Sequence, residues 1–374
     1  MKKLNISQVD TIFANGSYPI EFLLYYKDKL KTNSIRSALK KLATAFWPMF
    51  GEYHEGVIHF DKYVEPDCFD EEVTEQEFDR EATNQSIYEK YCRINPARMK
   101  KLFFLKVIQY SNGTVLIPKM NHLAGDGYSF IYFLKALAAM CPDTYLPFKK
   151  HLIRVLYKPH HQRTILKEFQ LEKIELKPLS QEEKLVIEFE EVQKPAVKNI
   201  IKNIASDFNQ QVSTNDILSA MIIKKSVEIQ KDYFGGEFQL TIPIDVRRYV
   251  KEYGPKYFGN GIMFQIVDFR KRDIEKFSIP ELAIEIRKSM PIITKESFIN
   301  FLSGLEKLIA ERQIDKLRPY NPELGCLITN LSRLPANKLN FGTGDPDFIF
   351  PLTIEKNSAA ILADEDKFML RLVF

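Results

Sequence analysis

A histidine and a carboxylate stand close together in the segment TVLIPKMNHLAGDGYSF, residues 114–130. The imidazole of His122 has an ordinary pKa of about 6.5, so its uncharged form is abundant at neutral pH. In that form it can take a proton from a hydroxyl or amine that attacks a carbonyl carbon. Asp126 follows four residues later, in a turn that contains Gly125 and Gly127. These residue types predict a general base at His122, held in place by the adjoining turn.

The residues alone leave two roles open for Asp126. Its carboxylate could contact the imidazole, or it could pair with a distant cation and so anchor the turn. The glycines at 125 and 127 are expected to give the turn backbone angles that a side chain would resist. A buried structural histidine at a strand end, followed by a Gly-Asp-Gly turn, would produce the same pattern.

Several regular elements are predicted to position this segment. Two β-rich runs at 102–110 and 114–121, separated by Ser111-Asn112-Gly113, predict a hairpin that ends just before His122. Apolar spacing predicts helices at 32–46, where Asn33 or Ser34 could cap the start, and at 129–140. A further helix is expected at 214–230, after Ser213. The acidic run at 67–80 is expected to be a surface segment.

Composition places the chain among soluble globular proteins. Its 374 residues are 45% hydrophobic and 27% charged, which suits two domains of ordinary size. The net charge of +4 is too small to indicate nucleic acid binding, but it is compatible with an anionic small molecule. The four cysteines are scattered, which predicts no disulfide framework and a reducing cytoplasm. We expect no signal peptide and no membrane span.

The sequence contains no obvious metal-binding pattern. His160 and His161 are adjacent, but no acidic or cysteine partner has a suitable spacing, so a solvated loop is expected there. The composition changes after Pro147, where the chain becomes rich in Lys, Glu and His. We therefore expect an α/β protein with an N-terminal domain at 1–165, a crossover linker at 166–195 and a C-terminal domain at 196–374.

At this point the sequence resembles the coenzyme-A-dependent acyltransferases related to chloramphenicol acetyltransferase, and among them the BAHD acyltransferases. HLAGDG matches their HxxxDG motif. The remaining matches follow in the family's order over nearly the whole chain. They are FWPMFG at 46–51, VSTNDILSA at 212–220, IDVRRY at 244–249, YFGN at 257–260, ITNLSRLP at 328–335 and NFGTGDP at 340–346.

The resemblance implies two chloramphenicol-acetyltransferase-like domains, each a mixed β-sheet flanked by helices, with the active-site channel at their interface. It implies an acyl transfer from an acyl-CoA co-substrate to a hydroxyl or amine of a small-molecule acceptor, with no permanently bound cofactor. His122 in the HxxxDG motif, which includes Gly127, would be the general base. Asp126 would pair with Arg247, although the adjacent Arg248 is an alternative partner.

Two further assignments follow from the resemblance. Thr329 matches a family position that helps to stabilise the tetrahedral oxyanion, and a hydroxyl donor suits that role. Ser213 and Thr214 would lie near the CoA phosphates, because helix N-termini favour anions. The same two residues are equally explained as an N-cap. The length of the chain favours a monomer.

The sequence departs from the family pattern at three positions. Asn340 stands where the family has Asp, Thr343 where it has Trp, and Leu331 where some members have Trp. The NFGTG loop is therefore expected to lack its usual ion pair, and the acceptor is left open. Two alternatives also stay open. One is a condensation-type enzyme that uses a carrier-protein thioester, although Asn121 stands where such domains carry a second histidine. The other is a non-catalytic relative.

Overall fold

The computed structural model describes residues 1–14, 19–96, 99–141, 147–161, 185–230, 233–313, 316–353 and 355–374. Within these ranges strands and helices are mixed along the chain, as expected of an α/β protein. The strands are β1 (Lys2–Asn5), β2 (Pro19–Tyr26), β3 (Glu52–His54), β4 (Val57–Phe60), β5 (Phe69–Val73), β6 (Phe103–Tyr110), β7 (Gly113–Asn121), β8 (Ile187–Gln193), β9 (Glu237–Asp245), β10 (Ile262–Arg270), β11 (Gly325–Asn330), β12 (Phe348–Pro351), β13 (Ser358–Ala363) and β14 (Lys367–Val373). The helices are α1 (Gln8–Ala14), α2 (Thr32–Leu42), α3 (Asn84–Tyr91), α4 (Gly127–Met140), α5 (Pro147–Leu156), α6 (Lys194–Phe208), α7 (Thr214–Ile229), α8 (Lys271–Lys276), α9 (Ile279–Ser289) and α10 (Lys295–Ala310).

A five-stranded sheet in the order β12-β2-β7-β6-β5 carries the histidine. Strands β6 and β7 are buried along their whole length and form the predicted hairpin, with Tyr110 paired to Gly113. Gly113 has a φ of 155°, and a Cβ there would lie 2.3 Å from the Tyr26 carbonyl oxygen. Only glycine suits such a position. The hairpin thus delivers His122 directly after the central strand β7.

The core of this half lies between the five-stranded sheet and helices α2 and α4. Apolar side chains at helical spacing, such as Ile35 and Leu39 on α2 and Phe130 and Leu134 on α4, join one buried cluster with Leu116 of β7. Burial of an apolar side chain of this size stabilises the fold by about 1.5–3 kcal/mol. This packing holds α4, and therefore the turn before it, against the sheet.

The second large sheet has six strands in the order β10-β9-β11-β13-β14-β8. Its central strands β9, β11 and β13 run parallel to one another, and the outer pairs are antiparallel. Helices α6, α7 and α9 cover it through a separate buried cluster that includes Leu218, Leu240 and Leu282. Each of the two large sheets therefore has its own helical layer. A smaller sheet, β1-β4-β3, adjoins the first half.

Sheet membership departs from a simple sequential division at two strands. β12 lies late in the chain but pairs with β2 in the first sheet, where Pro351 faces Phe22. β8 falls within the expected linker 166–195 but pairs with β14 in the second sheet. Residues 166–184 of that linker lie outside the described residues. The boundaries at 165 and 196 stay a prediction. Strand β12 joins the halves, because the strands before and after it along the chain belong to the six-stranded sheet.

The helix expected at 32–46 differs from the prediction in its end and in its cap. The helix expected at 32–46 ends at Leu42, because Trp47–Phe50 forms a 3-10 turn that contains Pro48. Lys31 precedes this helix without a side-chain cap, so neither Asn33 nor Ser34 caps it. The acidic run at 67–80 is mostly exposed, as expected of a surface segment, and it contains strand β5, which pairs in parallel with β6 at the edge of the sheet. No helix of the described ranges has the length and apolar character to cross a membrane.

Candidate active site

A cavity of about 1360 Å³ lies between the two large sheets. His122 and Ile20 line it from the five-stranded sheet, and Ile242 and Thr329 line it from the six-stranded sheet. Pockets for one small ligand measure about 300–1,000 Å³, so this cavity has room for more than one small molecule. The predicted general base therefore lies at the junction of the two halves.

The imidazole of His122 is held from two directions. The Phe13 ring stacks on it with a centroid distance of 3.7 Å and an interplanar angle of 12°. Its Nδ1 lies 2.9 Å from Oδ1 of Asn260. Removal from bulk water lowers the pKa of His122 below its ordinary value, although the Asp126 charge and the Asn260 bond act in the opposite direction. The ring is therefore uncharged at neutral pH, as a general base requires.

The contacts of Asn260 determine which nitrogen of His122 carries the proton. Nδ2 of Asn260 donates to the Asp10 carboxylate at 2.6 Å and to the His122 carbonyl at 2.8 Å. Because both partners are acceptors, the amide orientation is set and Oδ1 must be the acceptor for His122. Nδ1 of the imidazole is then the donor, and Nε2 keeps its lone pair. This tautomer presents Nε2 as the basic atom.

Asp126 forms a buried bidentate ion pair with Arg247. Nη1 of the guanidinium donates to Oδ2 at 2.8 Å, and Nη2 donates to Oδ1 at 2.9 Å. The same carboxylate accepts the backbone N–H groups of Ser129 and Gly261, and through the first of these it caps α4. Arg247 rather than the exposed Arg248 therefore faces Asp126. The ion pair therefore anchors the turn to the segment that follows β9 of the six-stranded sheet.

The charges of this pair stabilise each other strongly. Burial would raise the pKa of Asp126, but the Arg247 charge and its hydrogen bonds outweigh that and hold the pKa below its ordinary value. Burial likewise opposes the charge on Arg247, yet Asp126 and Asp245 raise its pKa overall. The carboxylate is thus ionised throughout the neutral range. It is also committed to Arg247, so it is not the hydrogen-bond partner of the imidazole.

The glycines of the turn have a different role from the one expected. Neither Gly125 nor Gly127 has a positive φ, so the expectation of special backbone angles is wrong. A Cβ on Gly125 would lie 2.8 Å from Cβ of Ser129, which makes close packing the constraint there. A Cβ on Gly127 would meet Leu331 and Leu334 at ordinary contact distances of 3.5 and 3.6 Å. Gly127 is simply the first residue of α4.

Thr329 enters the cavity from β11. It faces Ala360 of β13, which in turn faces Arg371 of β14. Residues that oppose one another across a sheet project from the same face, so these three side chains form a transverse row. All three line the cavity. The hydroxyl of Thr329 is thereby presented to the same space as the imidazole.

Ser213 and Thr214 lie at the start of α7 and line the same cavity. Ser213 forms a capping box with Asp216, and its Oγ also accepts a hydrogen bond from Arg287 at 2.7 Å. The N-cap alternative is therefore correct as a description of the local contacts. Arg287, a half-exposed residue that the sequence motifs did not single out, also pairs with Asp216 at this helix end, with its Nε 2.7 Å from Oδ2.

The other histidine and cysteine candidates have contacts that indicate a structural role. His161 is half-buried, with Nε2 2.7 Å from the Ala45 carbonyl and its ring against Trp47, so the expected solvated loop is wrong at this residue. Burial raises the pKa of the Cys326 thiol to about 12, which removes its thiolate at neutral pH. Among the described residues, no group of three or more His, Cys, Asp or Glu side chains is arranged to hold a metal ion.

The altered NFGTG loop keeps its shape without the usual aspartate. Oδ1 of Asn340 accepts the backbone N–H groups of Gly342 at 2.8 Å and Gly344 at 3.2 Å. Both glycines have positive φ, 115° and 117°. Phe341 is buried and packs edge-on against Tyr26. An uncharged amide thus closes the loop, and residues 340–346 are not part of the lining of the cavity that holds His122.

Sequence reasoning missed the residues that hold His122. The YFGN motif gives no role to its Asn260, and the motifs do not include Asp10 or Phe13. Asn260 is 138 positions from His122, and no local spacing connects the two. Asp10 is 250 positions from Asn260. No local pattern singles out Asp10, because Ser7, Gln8 and Thr11 beside it are polar as well.

Substitution of Asp126 by Asn should destabilise the protein strongly. Asn caps helices as well as Asp does, so this change removes mainly the charge opposite Arg247. Breaking a buried ion pair costs about 3–5 kcal/mol, and we expect a loss of that size in chemical denaturation. The matched control is Asp345→Asn in the exposed pair with Lys338, which should unfold like wild type. A variant at 126 that is fully stable yet inactive would contradict the anchoring role.

Comparison with known proteins agrees with this architecture. The "Transferase family" model matches residues 1–370, and no curated protein sequence matches the chain significantly. Vinorine synthase has a TM-score of 0.74 at 17% identity, over 100% of this chain and 90% of that one. TRI101 of F. sporotrichioides, solved with coenzyme A and T-2, has a TM-score of 0.73 at 13% identity, over 99% and 94%. The first condensation domain of the CDA synthetase has a TM-score of 0.59 at 10% identity, over 100% and 90%. The fold is thus the two-domain, chloramphenicol-acetyltransferase-like one, and the chain belongs to the Transferase family, the BAHD acyltransferases.

Proposed function

We propose that this protein transfers an acyl group from an acyl-CoA thioester to a hydroxyl or amine acceptor, with His122 as the general base. The observation that carries the proposal is the imidazole between the two sheets, with Nδ1 bonded to Asn260 and Nε2 left as the basic atom. Such a base needs no further activation to act on an acceptor beside it.

The reaction balances without a protein nucleophile. The acceptor proton passes to Nε2 of His122 as its oxygen or nitrogen attacks the thioester carbon. The carbonyl oxygen becomes an oxyanion, to which the Thr329 hydroxyl donates. Collapse of this intermediate breaks the C–S bond, and the imidazolium returns the proton to the CoA thiolate. A general base contributes about 10²- to 10⁴-fold and an oxyanion donor roughly 10²- to 10³-fold.

The CoA moiety is assigned to the side of the cavity at the start of α7. Ser213 and Thr214 stand there at a helix N-terminus, beside the ion pair of Arg287 with Asp216. Lys194 and Arg333 line the same cavity and add to its positive character. These features suit an anionic phosphate group. TRI101, which shares the fold, was crystallised with coenzyme A.

A carrier-protein thioester is the second candidate donor. The similarity to a condensation domain favours it only at the level of the fold. Asn121 stands directly before the motif, and its side chain accepts the Leu123 backbone N–H at 3.0 Å. It therefore serves the turn and offers no second imidazole. The intact base and its supports argue against a non-catalytic relative.

Replacement of His122 by Ala should abolish transfer without unfolding the protein. The assay measures the release of free thiol from acetyl-CoA in the presence of each of a panel of alcohol and amine acceptors. We expect this rate to fall by about 10²- to 10⁴-fold. The control is His54→Ala, an exposed histidine, which should keep full activity. Equal turnover by wild type and the 122 variant would exclude this base. Turnover only with an acylated carrier protein would favour the second donor.

Replacement of Asn260 by Leu should lower kcat more than it changes KM. The side chain fills similar space, but His122 loses the acceptor that sets its tautomer, so Nε2 is misplaced or protonated. Misplacement of a reacting group costs on the order of 100-fold. The matched control is Asn95→Leu, another buried asparagine, which donates to Glu21 and the Ile117 carbonyl. It should lower stability and leave kcat unchanged. Equal effects of the two variants on kcat would refute a positioning role for Asn260.

The pH profile should show a single acidic limb. His122 acts when uncharged, and its pKa is lowered by removal from water, so activity is lost only as pH falls below the ordinary value of about 6.5. We expect kcat/KM to be level from neutral pH upward until other groups titrate. The measurement is kcat/KM with acetyl-CoA between pH 5 and pH 8. A midpoint above pH 7 would contradict the assignment.

A further inference from the structure

A buried arginine in the cavity has hydrogen-bonding capacity that the fold leaves unused. Arg371 is 2% exposed and lies on β14, in the transverse row with Ala360 and Thr329. Its Nη1 donates to the Pro351 carbonyl at 3.1 Å and to the Thr353 carbonyl at 2.9 Å. Its Nε has no partner among the described residues. A guanidinium has five N–H groups, and buried ones are normally all bonded.

The charge of Arg371 is also incompletely balanced. Glu355 is the nearby acid, but no ion pair joins the two side chains among the described residues. Burial raises the pKa of Glu355 to about 7, so this carboxyl is partly protonated at neutral pH. Burial also lowers the pKa of Arg371 to about 10, despite the opposing effects of Tyr88, Glu355 and Tyr320. A buried cation without a full counter-charge is costly.

The position of this arginine relates it to the reaction site. Ala360 stands between Thr329 and Arg371, and its short side chain leaves open the space above the sheet. Adjacent strands are about 4.8 Å apart, so the backbones of Thr329 and Arg371 are separated by roughly 10 Å. Both side chains line the one cavity. A molecule that reacts beside Thr329 can therefore extend an anionic group toward Arg371.

We propose that Arg371 binds a carboxylate of the substrate within the channel. Glu355 competes with this carboxylate for the positive charge of the guanidinium. The inference rests on the proposed transfer reaction and names the substrate class. The carboxylate belongs either to the acyl group, as in the half-thioester of a dicarboxylic acid, or to the acceptor. A guanidinium pairs with a carboxylate through two parallel N–H bonds, and the two carbonyl contacts of Nη1 leave other donors of Arg371 for such a pair.

The test compares matched ligands that differ only in this charge. The acyl arm is glutaryl-CoA against pentanoyl-CoA, and the acceptor arm is 3-(4-hydroxyphenyl)propanoate against its amide. Binding is measured by calorimetry in the His122→Ala protein, so that no turnover occurs. We expect at least a tenfold preference for the acid in one arm, and that arm identifies the source of the carboxylate. No preference in either arm, in protein that binds coenzyme A, would overturn the proposal.

Two further variants separate recognition from a purely structural role. Arg371→Met should remove the preference for the acid while the affinity for coenzyme A is kept. Arg371 also donates to the Pro351 and Thr353 carbonyls, so its replacement could prevent folding. The variant Glu355→Gln, which keeps these contacts, therefore provides an independent test. Removal of the competing acid should tighten binding of the acid ligand severalfold. The control is Glu285→Gln, an exposed glutamate paired with Lys288, which should change nothing.

Each outcome decides between the two proposals. An unchanged acid affinity in Glu355→Gln, or a preference that survives Arg371→Met, would overturn the assignment of Arg371. Wild-type protein that transfers acyl groups without any preference for acids would retain the proposed function and lose this inference. Protein that shows the Arg371-dependent preference but transfers nothing from any acyl-CoA would lose the proposed function and keep the binding site.

Discussion

The buried ion pair between Asp126 and Arg247 joins the two halves of the molecule beside His122. Arg247 follows β9 of the six-stranded sheet, and Asp126 lies in the turn after β7 of the five-stranded sheet. With both side chains removed from water, the pair holds only because its geometry is bidentate and the remaining atoms are bonded. The guanidinium also bonds Ser129 and the Gly259 carbonyl. The turn and the YFGN segment are therefore positioned by one cation.

The position of the imidazole follows from that arrangement. Arg247 fixes the Gly259 carbonyl, and the next residue, Asn260, reaches back to His122 and to Asp10. A second hydrogen-bonded chain thus runs beside the ion pair, from Asp10 of α1 through Asn260 to the imidazole of His122. Asp126 affects His122 through the backbone of the turn and through its negative charge, without a direct hydrogen bond between the two side chains. In the proposed reaction, anchoring therefore falls to Asp126 and chemistry to His122.

The cavity is a consequence of how two sheets with separate cores meet. Each large sheet buries its own helical layer, so the space between the sheets is lined by both and filled by neither. The exchange of β12 into the first sheet brings the segment around Glu355 to this boundary. There it meets Arg371 of β14. The same crossing that joins the halves therefore places the side chains of Glu355 and Arg371 in the lining of the cavity.

The sequence by itself determined what depends on neighbours along the chain. The hairpin 102–121 follows from alternation and a turn with glycine, and the capped start of α7 follows from Ser213 and Asp216. The ordered motifs also predicted the family and its fold. Tertiary structure alone decided that Arg247 rather than Arg248 meets Asp126, because adjacent residues on one segment point in different directions. It also decided the roles of Asn260, Asp10 and Arg371. Their partners lie far away along the chain, and local periodicity carries no information about such distant contacts.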